Sequence, residues 1–177
     1  MFVFKVLKMK KIILSIAALL AFGFANAQQT KFGVKAGVDF ASMHGKFDGS
    51  SYSESETGFY AGGYADITVS DKFHVQPELL YVSVKNLNQI QVPVLVKIPV
   101  VKDLSLLAGP DFGFVLNGGF GSKVFNFGAD LGLTFDLNEN FSLDGKYNFG
   151  LSNLDKGGNS DFSTKLSGAF FGLSYKF

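Results

Sequence analysis

The sequence has no cysteine, no arginine and no tryptophan, and only four prolines in 177 residues. Without cysteine there is no disulfide scaffold and no thiolate-held zinc or iron–sulfur site. All 16 basic residues are lysine, so a bidentate guanidinium clamp on phosphate or carboxylate is excluded. Charge is scarce at 18%, and a formal net charge of +1 argues against nucleic acid as a partner. Low charge combined with 47% hydrophobic residues excludes a disordered chain, because so apolar a sequence can bury enough surface to fold. The length suits one domain. What the chain has in excess is 21 Phe and 21 Gly.

Long apolar runs are also missing, with one exception. Ile12 to Ala25 is apolar apart from Ser15 and Gly23, follows Lys8, Lys10 and Lys11, and precedes Ala25-Asn26-Ala27. A basic region, a short apolar run and an A-x-A site make a secretory signal, cut between Ala27 and Gln28. An uncleaved anchor is the other reading, but the run falls short of the roughly 20 residues a spanning helix needs. Met9-Lys10-Lys11 is itself a suitable start, so translation can begin at Met1 or Met9. The expected domains are a signal peptide, 1–27, and one barrel domain, 28–177. The mature part holds 12 Lys against 15 acidic residues, a net charge of −3.

After Ala27 the dominant signal is alternation with period two, the mark of strands with one apolar face. It recurs in eight segments: 31–41, 58–69, 73–84, 88–100, 104–116, 125–137, 141–151 and 164–177. The sixth is the cleanest: Phe125, Phe127, Ala129, Leu131, Leu133, Phe135 and Leu137 alternate with Asn126, Gly128, Asp130, Gly132, Thr134 and Asp136. Connections after the second, fourth and sixth segments are short: Ser70-Asp71-Lys72, Val101-Lys102-Asp103 and Asn138-Glu139-Asn140. Those after the others are mostly longer, polar loops: Ser42–Thr57, Asn117–Val124 and Ser152–Ser163, with Lys85–Leu87 the short exception. Short and long connections therefore lie at opposite ends of an up-and-down meander.

Alternation does not say which face points in. A soluble periplasmic barrel or sandwich puts the apolar face inward; a membrane barrel turns it toward lipid. Three features favour lipid. Gly33, Gly37, Gly62, Gly109, Gly113, Gly128, Gly132, Gly150, Gly168 and Gly172 all lie on the polar face, as a crowded lumen requires and a wet surface does not. Phe40, Phe59, Phe112, Phe114, Phe125, Phe127 and Phe149 gather near the long-loop end, and Phe32, Phe73, Phe135, Phe141, Tyr175 and Phe177 near the short-turn end. Two aromatic rings match interfacial girdles. Strands of this length, tilted near 40°, reach roughly 25–33 Å, enough for the hydrocarbon slab. The expected fold is all-β: an eight-stranded antiparallel up-and-down transmembrane β-barrel.

The closing strand, Phe171-Gly172-Leu173-Ser174-Tyr175-Lys176-Phe177, resembles the terminal strand of bacterial outer-membrane barrels, read by the barrel-assembly machinery through Tyr175 and Phe177. Nearly the whole mature chain resembles the small outer-membrane β-barrel proteins of the PorT-like "porin family" type. The residues carrying this are Phe32-Gly33-Val34-Lys35-Ala36-Gly37, Gln76-Pro77-Glu78-Leu79-Leu80-Tyr81, Ile90-Gln91-Val92-Pro93-Val94-Leu95-Val96-Lys97, Ala108-Gly109-Pro110 and Tyr147-Asn148-Phe149-Gly150-Leu151. The resemblance implies the outer membrane of a Gram-negative bacterium, with termini and short turns in the periplasm. It implies little about activity.

With the polar face inward, the lumen collects Lys35, Lys97, Lys146 and Lys176 with Asp39, Asp66, Glu78, Asp111, Asp130 and Asp144. Isolated buried charges are too costly, so these are expected to pair. The result is either a salt-bridged plug in a structural or interaction protein, or a narrow small-solute or cation pore along the acid excess. An accessory role in a secretion system is a further reading. The weakest is a lipid-modifying enzyme using His44, in the first long loop near Ser42, Asp48 and Ser50. His74 beside a short turn is expected to cap the lumen. Glu54, Glu56, Asp155 and Asp161 could weakly hold divalent cations bridging lipopolysaccharide, though no calcium-loop spacing is present. No catalytic, cofactor or metal residue is assigned. The expected partners are lipid bilayer, lipopolysaccharide, assembly machinery and a protein at the long loops. Leu80, Val82, Val84, Leu166 and Phe170 break the alternation, and a bulge or a wet extension above the bilayer is expected there. Pro77, Pro93 and Pro110 are expected to disturb pairing locally.

Overall fold

Phe, Val, Leu and Tyr at every second position suit a pleated surface, and the sequence uses them throughout. The computed structural model describes residues 30–47, 50–85, 87–116, 125–152 and 162–177, with side chains except at 43–47, 50–54 and 162–164. The expected signal peptide, 1–27, with Ala27 and Gln28, lies outside them, as do Asp48, Asn117–Val124, Asp155 and Asp161.

Among the described residues the elements are β1 (Thr30–Phe47), β2 (Ser50–Ser70), β3 (Phe73–Val84), β4 (Leu87–Val101), β5 (Leu104–Val115), β6 (Phe125–Asp136), β7 (Phe141–Gly150) and β8 (Phe162–Lys176). They form a closed barrel in chain order. The antiparallel β1–β8 seam runs in one register from Gly33↔Lys176 to Phe47↔Phe162. Closure leaves no sheet edge, a requirement for strands in a hydrocarbon medium. Lys31–Phe177 is one compact unit.

The outer face is apolar. Leu131, Leu133 and Phe135 are 49%, 48% and 45% exposed, whereas Asp130 and Lys146 on the opposite face are 3% and 6% exposed. The inside-out arrangement is therefore the observed one. On the outside, aromatic rings meet across strands: Phe112–Phe127 at 5.5 Å and Phe114–Phe125 at 5.4 Å near one end, Phe141–Tyr175 at 5.0 Å near the other.

The short turns carry their own chemistry. Asn138 Oδ1 accepts from the backbone N–H of Asn140 (2.9 Å) and Phe141 (2.8 Å). Asp103 takes the left-handed conformation (φ 65°), which Asp tolerates better than most residues. The chain end is tied down: Phe177 N–H donates to Phe32 O at 2.9 Å, and Lys176 N–H to Asn140 O at 2.7 Å.

Two expectations need correction. The first long loop, Ser42–Thr57, is mostly strand, because β1 continues to Phe47 and β2 begins at Ser50. The β1 extension pairs with the start of β8, which likewise shortens the loop expected at Ser152–Ser163. Polar strands extend readily where both faces can be wet, so polar composition is a poor guide to their ends.

Leu80, Val82 and Val84 mark no bulge: β3 keeps one register against β2 from Gly58↔Val84 to Thr68↔His74, and Leu166 and Phe170 sit in the unbroken β1–β8 register. All five are buried inside the barrel, where Ala41, Tyr60, Leu80, Val82, Val84 and Phe170 form an apolar cluster. Tyr60 and Phe170 meet edge to face at 5.4 Å.

The prolines interrupt pairing locally, as expected at Pro77 and Pro93, without shifting the register. Pairing runs Pro77↔Val94 and resumes at Leu80↔Gln91, and runs Pro93↔Asp111 and resumes at Val96↔Ala108. Pro110 pairs with Ala129 within an intact ladder. The shifts fall instead at Thr68/Ser70 and Pro99/Val101, beside short turns.

Lumen glycines make room for large inward side chains. A Cβ on Gly172 would strike the Tyr60 hydroxyl and the Ala36 carbonyl, and one on Gly33 would strike the Tyr64 ring. Gly172→Ala should therefore destabilise the barrel by about 1–3 kcal/mol through overpacking. Urea titration of refolded protein, read by the mobility difference between unheated and heated samples, measures it. An unchanged midpoint would refute the crowding argument.

Candidate functional site

The lumen is the place where polar chemistry concentrates, and the pleat explains why. Lys35, Glu78, Asp130, Asp144 and Lys146 share parity with the inward face of their strands, and each is under a tenth exposed. Lys35 Nζ reaches Glu78 Oε1 at 2.7 Å and Asp144 Oδ2 at 3.4 Å. The second contact is an ion pair without hydrogen-bond geometry, since Asp144 Oδ2 has no hydrogen-bond partner. Lys146 Nζ lies 3.3 Å from Glu78 Oε2 and 2.9 Å from Asp130 Oδ2. Glu78 thus joins two lysines from opposite sides, and the chain Asp144–Lys35–Glu78–Lys146–Asp130 links β1, β3, β6 and β7.

Neutral groups complete this belt. Gln76 Nε2 donates to Glu78 Oε1 at 2.8 Å. Asn148 Nδ2 donates to Asp130 Oδ1 at 2.6 Å and Asp111 Oδ2 at 2.8 Å. Lys35 stands 5.0 Å from the Tyr64 ring centre and Lys146 5.2 Å from that of Phe170, both within cation–π range.

A second group sits at the β2–β3 turn. Asp66 accepts from Lys97 Nζ at 3.2 Å through Oδ2, and its Oδ1 lies 2.6 Å from His74 Nδ1. His74 is partly exposed there, beside Thr68 Oγ1 at 3.4 Å.

Not every expected lumen ion joins these groups. Lys176 is half-buried at the short-turn end and makes no ion pair among the described residues. Asp39 and Asp111 are buried to 1% exposure, and neither lies within ion-pair distance of a cation among the described residues. Asp39 Oδ1 and Asp111 Oδ1 have no hydrogen-bond partner, nor have Gln89 Oε1 and Gln91 Oε1. Glu56 pairs with Lys85 at the opposite rim.

His44 lies in β1 opposite Lys165, not in a loop. Tyr60, Tyr64, Gln89 and Asn148 were not singled out from sequence as lumen residues. Their parity within the strand was the available signal: Tyr60 and Tyr64 share it with Asp66 in β2, Gln89 with Lys97 in β4, and Asn148 with Lys146 in β7. Tyr175 and Phe177 face outward at 37% and 72% exposure, with rings 5.5 Å apart.

Residues 14–177 match the family described as outer membrane protein beta-barrel domain. The chain belongs to that family. This outer-membrane barrel is also similar in fold to solved structures. Ail, the attachment invasion locus protein of Yersinia pestis, is 16% identical with TM-score 0.52, over 85% of this chain and all of Ail (100%). The Neisserial surface protein A is 15% identical with TM-score 0.52, over 85% and 100%. A de novo designed transmembrane β-barrel is 18% identical with TM-score 0.51, over 83% and 95%. No curated protein matches the sequence. Family and fold together make this a bacterial outer-membrane barrel that crosses the bilayer with strands.

Proposed function

We propose that this chain is a non-conducting structural or interaction barrel, plugged by its own side chains, which meets other molecules through its long-loop end. The observation that carries the proposal is the bridging of Lys35 and Lys146 by Glu78, which spans the lumen from β3 to β7. Eight strands enclose an interior that side chains can nearly fill. Above the ions, toward the long loops, the Tyr60–Phe170 cluster adds an apolar layer. Water and small solutes then find no continuous polar path.

In this reading the leader is removed at Ala27–Gln28, the termini and short turns face the periplasm of a Gram-negative cell, and the barrel works as a monomer. Tyr175 and Phe177 are read by the assembly machinery, and lipopolysaccharide packs against the aromatic ring nearest the loops. The loop end is the surface for a protein partner, since exposed loops are freest to carry recognition. The proposal gives His44 no catalytic role.

Planar-bilayer recording on pure refolded protein is the test. The wild type should give no discrete current steps in molar salt. Reproducible steps that change ion preference on Glu78→Gln would overturn the plug in favour of a pore.

A further inference from the structure

We propose that the free edge of β2 above the barrel, residues 50–57, binds an extended, lysine- or arginine-bearing segment of another protein as an added β-strand. The edge follows from unequal strand lengths. β2 begins at Ser50, but its register with β3 starts only at Gly58↔Val84, where β3 ends. The chain then turns tightly at Lys85 (φ 41°) and returns as β4 from Leu87. Eight residues of β2 therefore run on, about 26 Å of strand, with β1 on one side and no strand on the other among the described residues. The Ser42 and Ser55 hydroxyls, 3.3 Å apart, mark the β1 side. Ser55, Glu56 and Thr57 are all exposed, so both faces of the extension meet water.

β8 has an edge on the far side, since its register with β7 ends at Asn148↔Gly168 while β8 starts at Phe162. The two edges differ. Natural sheets blunt an exposed edge with lysine, proline or a bulge, or cover it. Phe162–Ser167 carries Lys165, and the Gly150 N–H donates to Ser167 Oγ at 3.3 Å. Ser50–Thr57 has no lysine, proline or glycine. Its two charges are both acidic, Glu54 and Glu56, spaced by the repeat of one strand face. A strand added here gains main-chain hydrogen bonds, and cationic side chains at alternate positions oppose the two glutamates. A second copy of the barrel is a poorer occupant. Copies in one membrane stand upright, so β2 could meet only a neighbour's β2 or β8 above the bilayer. β2 against β2 sets one acidic run against another, which is unfavourable. β2 against β8 would repeat the three-stranded sheet every three strand spacings, about 14 Å. That is less than the roughly 16 Å backbone width of an eight-stranded barrel tilted near 40°, before side chains are added. The inference deepens the interaction reading proposed above and rests on its loop-end surface for a protein partner.

The test uses the refolded full barrel in nanodiscs of zwitterionic lipid. The probe is a fluorescent synthetic peptide that alternates lysine with threonine and valine. Anisotropy should report saturable binding. The same peptide N-methylated at four consecutive residues, which blocks both of its edges, should bind at least about tenfold more weakly, the scale of several lost main-chain hydrogen bonds. The double variant Glu54→Lys with Glu56→Lys, its folding checked by heat-dependent gel mobility, should weaken binding by about fivefold or more. Amide hydrogen exchange at residues 50–57 should slow with peptide bound, and exchange at residues 162–167 should not change. No saturable binding would overturn the edge site. Binding that neither N-methylation nor the double variant weakens would also overturn it, while leaving the loop end as a protein-binding surface. Barrel oligomers that form without peptide and dissolve in the double variant would give the edge to a second copy and overturn the proposal. Current steps in a planar bilayer would remove the plug reading and leave the edge untouched.

Discussion

Glu78→Ala is expected to destabilise the folded barrel by about 3–5 kcal/mol, the cost of breaking a buried ion pair by deleting one partner. Glu78 is 2% exposed and holds both Lys35 and Lys146. Its removal leaves Gln76 Nε2 without its acceptor as well. Of its two carboxylates Lys35 retains Asp144 at 3.4 Å, and Lys146 retains Asp130. Two ammonium groups then share a space shielded from water. The comparison is Glu139→Ala in the exposed β6–β7 turn, expected to change stability by less than about 0.5 kcal/mol. Urea unfolding of refolded protein, followed by gel mobility and by tyrosine fluorescence, gives both values. A Glu78→Ala barrel within about 1 kcal/mol of wild type would mean that solvent reaches the belt, contrary to its burial.

Leu131→Lys should cost about 2–4 kcal/mol, because a lysine at the bilayer midplane must leave water. Leu131 lies midway along β6 and points outward at 49% exposure. The same change at Leu137, which is 50% exposed but follows the end of β6, should cost about 0–1 kcal/mol. The two sites look alike by surface area. Only depth in hydrocarbon distinguishes them, so the difference measures the membrane itself. Equal, small effects in lipid vesicles would place water outside the barrel.

Most of the architecture was legible, because a strand with one lipid face and one packed face must alternate. β3 shows this: its expected and observed limits are both Phe73–Val84. The ends of β1, β2 and β8 were not legible, because Ser, Thr, Glu and Tyr, as in Ser50–Thr57, serve loop and strand alike. Leu80, Val82 and Val84 misled for a different reason. Alternation assigns a face but says nothing of depth, and an apolar layer inside a lumen looks in sequence like a lost pattern. The lumen ions were readable as a set from parity. Their partners were not, since Lys35 and Glu78 stand 43 positions apart. Asp39 and Asp111, counted with the other ions, have no lysine within ion-pair distance among the described residues.

The belt joining β1, β3, β6 and β7 has a bearing on how such a molecule comes into being. Lys146 and Asp130 belong to adjacent strands and can meet within one hairpin, but Lys35–Glu78 and Lys146–Glu78 reach over intervening strands, the latter across 68 positions. A β1–β2–β3 sheet can bring Lys35 to Glu78, but Lys146–Glu78 needs a sheet curled until β7 faces β3. An open intermediate in the bilayer would present bare ammonium and carboxylate groups to acyl chains, which disfavours every state between a water-exposed precursor and the finished cylinder. Insertion and closure are therefore expected to proceed together, and the contact of Lys35 with Asp144, which reaches from β1 over β8 to β7, forms only once the last seam, β1 against β8, has been made.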